Sequence, residues 1–172
     1  MRLRTIKKVV YIGIINHVLS GTFAFSLKRR MLNAVGYEIG KGTKVVGPIY
    51  CTAKLKAGEN VWIGRALTVE GNGSVEIGDN CDLAPAVTFL TGGHRIGTHG
   101  RRAGQGESYS IYVGKGTWIG ARSTICGNVK IGDGCITAAG TCVVKDVEDD
   151  CLVGGVPAGV IRKLTDESEK NS

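Results

Sequence analysis

Between Val113 and Glu148 the chain repeats every six residues: VGKGTW, IGARST, ICGNVK, IGDGCI, TAAGTC, VVKDVE. The first place is Val, Ile, Ile, Ile, Thr, Val, and the second is Gly in three hexads of the six. The fifth place is always small or β-branched. A period of six suits neither a 3.6-residue helix nor the two-residue alternation of a plain strand. It marks a parallel β-helix, in which each short unit buries its face only by stacking on its neighbours. At roughly 3.3 Å per strand residue, a hexad makes one flat side and a corner, so three hexads close a triangular coil.

The same frame runs backward through Ile39, Val45, Cys51, Ala57, Ile63 and Val69 in the first place, with Thr43, Ile49, Leu55, Val61 and Leu67 in the fifth. At Gly71-Asn72-Gly73 it slips by two residues and restarts at Ile77; the slip reads as a plain turn or as a corner that contacts a ligand. From Leu83 the hexad LAPAVT leads into FLTGGH, and the pattern then stops until Ile111. A chain of 172 residues is one domain, and a solenoid of that length has about seven coils. The 27 glycines and the 6% aromatic content fit tight corners around a thin core.

The organisation expected is an all-β solenoid over residues 36–156, a helical segment over 1–35, and a cap and polar tail over 157–172. The N-terminal segment places Arg2, Arg4, Lys7 and Lys8 before an apolar run and Lys28, Arg29 and Arg30 after it. It reads equally as a helix packed on the first coil or a neighbouring subunit, and as a basic amphipathic anchor on an anionic leaflet. Asn16, His17 and Ser20 interrupt the run and argue against a spanning helix. No Cys-x-x-Cys occurs among the six cysteines, so reduced thiols in a cytoplasmic protein are expected, peripheral at most on the inner membrane face. A net charge of +7 calls for an anionic partner, but without the aromatic and basic interleaving of a nucleic-acid platform.

The interruption, residues 92–110, is a long loop in a tight solenoid, where packing gives no reason for it and function does. It carries His94, Arg95, His99, Arg101, Arg102 and Glu107. Imidazole, with an unperturbed pKa of about 6.5, suits removal of a hydroxyl proton.

The [Ile/Val]-Gly-x-x-[small]-x repeats and the ending GGVPAGVIRKL (Gly154 to Leu164) resemble the hexapeptide-repeat acyltransferases, in particular the galactoside, maltose and polysaccharide O-acetyltransferases. The resemblance implies a left-handed β-helix, a hand that chain sterics do not predict. It also implies a homotrimer with sites between subunits and acetyl-CoA as co-substrate without a metal. Ala84, Pro85, Val87, Thr88, Gly93 and His94 match the family's catalytic motif, which makes His94 the general base in direct attack on the thioester. Glu107, or a main-chain carbonyl, would fix its tautomer. Trp118 matches the tryptophan along the pantetheine arm, and Gly120 and Ala138 the positions that offer that arm backbone groups and no bulk. Lys145 and Arg162 match basic residues near the CoA 3′-phosphate, whereas Gly159 stands where a second basic residue is common. On the acceptor side Gly64 and Asn72 stand where the galactoside branch has an Asn and an Asp, and the basic content of the loop (Arg95, Arg101, Arg102) suggests a different, anionic or lipid-linked saccharide of surface-polymer or lipopolysaccharide synthesis, with Asn72 and Arg95 the candidate contacts. Alternatives are a serine or amino-sugar acetyltransferase, a non-catalytic scaffold, and a γ-type carbonic anhydrase-like zinc enzyme. The last would use His94 and His99 but lacks a third ligand, since His17 lies outside the repeats.

Overall fold

Short parallel strands stack into three ladders in the computed structural model, which describes residues 2–165, with side chains from Thr5 onward. The first face holds Glu38–Ile39, Lys54–Ala57, Ser74–Ile77, Ser110–Val113 and Val129–Ile131. The second holds Lys44–Val45, Trp62–Ile63, Asp82–Leu83, Trp118–Ile119, Ile136–Thr137 and Cys151–Gly154. The third holds Ile49–Cys51, Leu67–Glu70, Thr88–Leu90, Thr124–Cys126 and Cys142–Val143. This makes about six coils, not the seven expected; the two helices and the inserted segment use chain that a count by length assigns to coils.

The first and fifth places of the hexads point inward. Val45, Ile63, Val69, Leu83, Phe89, Ile119, Ile125 and Val143 have no exposed surface, and the core is a thin column of such side chains. Cys81 and Cys135 fill fifth places in it, and burial pushes the Cys81 thiol up to about 11. Coils advance by eighteen residues where the hexads are intact, as in Glu38 opposite Lys56 and Ile111 opposite Val129. Lys54 stands opposite Ser74, two residues longer, which locates the slip at Gly71-Asn72-Gly73. A second slip, two residues shorter, sets Ile131 beside Val147. The hexads read from Val113 to Glu148 therefore do not stop there but shift frame, and Cys151 and Val153 are buried in a further coil.

A stack of strands leaves unpaired backbone at each end. At the N-terminal end it is covered by α1 (Arg2–His17) and α2 (Phe25–Ala34), whose Ile15, Met31 and Leu32 continue the core. Asn16 accepts from Ile49 N–H at 2.9 Å and donates to its carbonyl at 3.0 Å. Asn33 does the same for Ile39, at 2.7 and 3.0 Å. Each carboxamide thus replaces the missing neighbouring strand at one residue. Lys28, fully buried, donates to the carbonyls of Leu19, Gly21 and Val46. Packing on the first coil, one of the two readings of this segment, is observed. No helix among the described residues is long and apolar enough to cross a membrane. At the other end Gly159–Lys163 closes the stack, antiparallel to Cys151–Gly154. The tail expected beyond Thr165 lies outside the described residues.

Candidate active site

The interruption of the hexads is an extruded antiparallel hairpin, Gly92–Ile96 against Ala103–Ser108, with His94 opposite Gly106. Glycine-rich strands carry no alternating pattern, so the sequence shows only a loop there. The hairpin leaves between the third face and the first, at the corner opposite the second face. Thr91, fully buried, fixes its root by donating to Glu70 O at 2.9 Å and accepting from Gly73 N at 3.2 Å. The two-residue slip is therefore docked on the hairpin. A Cβ on Gly71 would meet Gly92 N, and one on Gly73 would meet the Tyr109 carbonyl.

His94 is exposed, and its Nδ1 lies 2.9 Å from the Gly104 carbonyl. A carbonyl only accepts, so Nδ1 carries the proton of the neutral ring and Nε2 keeps a free lone pair. Glu107 does not supply this partner. Its carboxylate takes Arg95 Nε at 2.6 Å, and Arg95 is in turn tied to Glu107 and is no free cation. His94, Asn72, Glu70 and Glu107 share an open cleft of about 490 Å³. Asn72 points its Oδ1 toward Gly92, and Gly93 is bare where a Cβ would collide with the Tyr109 ring. Tyr109 is the neighbour to which sequence reasoning gave no role, although it ends the Gly106-Glu107-Ser108-Tyr109 stretch.

The other candidates stand elsewhere. Trp118 is about half exposed on the second face, in a ladder that runs Lys44, Trp62, Asp82, Trp118, Ile136, Leu152 and then Arg162 on the closing strand. Trp62, Asp82, Ala84 and Trp118 line a shallow groove of about 380 Å³. Arg162 is three rungs from Trp118, roughly 14 Å at 4.7–4.9 Å per strand. Gly120 and Ala138 lie at the corner beyond the second face, and their backbone groups hold coils together. Gly120 N donates to Thr137 O at 3.0 Å, and the Ala138 carbonyl accepts from Ser123 and Thr141. A Cβ on Gly120 would collide with the Thr137 carbonyl, so glycine is demanded there by the coil itself. Lys145 is exposed at the far end, beside Gly159 and Lys163. No three His, Cys, Asp or Glu side chains among the described residues converge to hold a metal.

Residues 110–145 match the family described as bacterial transferase hexapeptide (six repeats). The galactoside O-acetyltransferase of Escherichia coli (strain K12) is 33% identical over 133 residues, 76% of this chain and 66% of its own length. That of Lactococcus lactis subsp. lactis (strain IL1403) is 27% identical over 81% of this chain and 69% of its own. A solved galactoside acetyltransferase in complex with coenzyme A superposes with a TM-score of 0.82 at 26% identity, over 98% of this chain and 84% of the other.

The chain belongs to the hexapeptide-repeat acyltransferases.

Its prism is accordingly the left-handed β-helix of that family. It spans 57–69% of the length of the curated relatives it matches. Within the family frame, the hairpin histidine and the face bearing Trp118 are on opposite sides of one subunit.

Proposed function

We propose that this acyltransferase moves an acetyl group from acetyl-CoA to a saccharide hydroxyl in surface polysaccharide or lipopolysaccharide synthesis, at sites shared between the subunits of a homotrimer. The observation that carries this reading is the bond from His94 Nδ1 to the Gly104 carbonyl, which leaves Nε2 as the free nitrogen of a residue that lines an open cleft. His94 Nε2 takes the proton of the attacking hydroxyl as its oxygen bonds to the thioester carbonyl carbon. It returns that proton to the sulfur as the C–S bond breaks. Gly104 holds the tautomer, Tyr109 and Gly93 set the ring's backbone, and Asn72 meets the acceptor.

The bound co-substrate supplies a thioester already activated for attack. Trp118 on the second face fits its pantetheine arm, with Arg162 three rungs on for the phosphates and Lys145 at the same end of the prism. Gly120 and Ala138 contribute lack of bulk. Opposite placement of His94 and Trp118 supports a ring of three prisms, in which the corner of one subunit meets the second face of the next. Ile6, Val9 and Val10 are exposed on α1 beside Lys7, which supports a peripheral membrane contact. Sedimentation with anionic vesicles checks that contact: it should fall as salt rises.

Incubation with acetyl-CoA and a panel of oligosaccharides, read by mass shift and thiol release, tests the activity. Acetylation of a hydroxyl is expected; thiol release that no acceptor stimulates would count against it.

A further inference from the structure

A second space, larger than the His94 cleft, adjoins it. It is a trough of about 740 Å³ between α1 and the first coils, lined by Thr5, Lys8, Val35, Tyr37, Thr52, Lys54 and the Gly71–Gly73 turn among others. That volume lies within the roughly 300–1,000 Å³ of ordinary ligand sites. Gly71 and Asn72 line both spaces, so the trough and the cleft meet over the two-residue slip. A molecule with one end at His94 has a path across Asn72 toward α1.

The two halves differ in charge. Glu70 and Glu107 line the cleft, and Glu107 is already paired with Arg95. Among the described residues no carboxylate lines the trough, which has Lys8 and Lys54 instead; Glu70 reaches only its edge, accepting from Thr52 at 3.3 Å. Among the described residues no acid pairs with Lys54, and the contrast with its neighbour is local. On the same strand Lys56 stands opposite Glu76 and bonds it at 2.6 Å, whereas Lys54 stands opposite Ser74, whose hydroxyl pairs with Ser110. Lys8 lies with its ammonium 4.9 Å from the centre of the Tyr37 ring, which is held in place by donating to the Cys51 carbonyl at 2.8 Å. The trough thus combines an aromatic and apolar floor (Tyr37, Val35, Ala53) with two cations. A sugar ring with a carboxylate or phosphate matches both features.

We propose that the trough is an acceptor subsite for an anionic saccharide unit, a uronate or a sugar phosphate, adjoining the unit acetylated at His94. This rests on the acetyl-transfer reading for its purpose but not for its test, because binding is measured without turnover. Arg95, Arg101 and Arg102 on the hairpin, the earlier candidates for anion recognition, are not required for it.

The test uses the full chain carrying His94→Ala, so that no acetylation intervenes. It is titrated calorimetrically with three tetrasaccharides: tetragalacturonate, a phosphorylated maltotetraose, and neutral maltotetraose. At least one of the two anionic probes should bind more tightly than the neutral one, and the arm that binds identifies carboxylate or phosphate as the source. Lys54→Met and Lys8→Met should each weaken that probe by about fivefold, the upper range for an exposed ion pair, and leave the neutral probe unchanged. Lys7→Met, the same charge loss on the same helix but outside the trough, should change nothing. The proposal is overturned if all three probes bind alike or not at all. It is equally overturned if Lys7→Met weakens binding as much as Lys8→Met, or if only Arg101→Ser and Arg102→Ser do so. Failure of acetyl transfer with the unaltered chain would overturn the functional reading while leaving this binding result intact.

Discussion

In single residues, the proposed chemistry turns on the His94 ring and the Gly104 carbonyl behind it. His94→Ala should lower kcat by about 10²–10⁴, the range for loss of a general base, with acetyl-CoA binding unchanged; turnover near that of the unaltered protein would remove His94 from the chemistry. Gly93→Ala is a positioning test. A Cβ there collides with the Tyr109 ring, so kcat should drop while the melting temperature moves little, and Tyr109→Ala in the same chain should restore part of the rate. His94 was legible from its matched context, Ala84 through His94. Its hydrogen-bond partner was not: a main-chain carbonyl ten residues on is invisible to any pattern of side chains, whereas Glu107 offered a visible carboxylate that proves to be engaged by Arg95.

Among the elements, the hexads were the most legible, because an inward side chain at every first and fifth place is a pattern that packing imposes on the sequence. The caps were not. Asn16 and Asn33 each complete a strand edge by one carboxamide, and a single Asn in a helix has no period to announce it. Asn16→Ala and Asn33→Ala should each cost about 1–3 kcal/mol, the penalty for leaving buried backbone groups unpaired, read from chemical denaturation. Lys28→Met, which strips three carbonyls of their donor, should be at least as harmful. Leu27→Met, exposed one residue away, serves as the neutral control. The hairpin escaped notice as an element for a different reason: its strands pair through the backbone, with glycines where side-chain alternation would otherwise show.

For the whole molecule, burial raises the thiols of Cys51 and Cys81, each to about 11, and pushes the Tyr37 phenol up as well. A raised pKa means that the folded state keeps a proton the unfolded chain gives up. The stabilisation is then whole below pH 9, the usual thiol value, and is lost as pH climbs through about 11. Lys28, lowered by burial, works in the opposite sense. Stability should therefore fall between pH 9 and 11, and Cys51→Ala with Cys81→Ala should flatten that fall even if it lowers stability throughout. An unaltered slope would mean that the thiols ionise freely in the folded protein. Mixing two inactive chains tests directly whether the site is shared between subunits. His94→Ala removes the base and leaves the second face intact; Trp118→Ala, assayed at low acetyl-CoA, does the reverse. Co-folded in equal amounts, random trimers with one-directional interfaces should pair an intact hairpin with an intact second face at about one interface in four, restoring about a quarter of the normal rate. No recovery in verified mixed oligomers, or full activity in a monomer, would contradict a site shared between subunits.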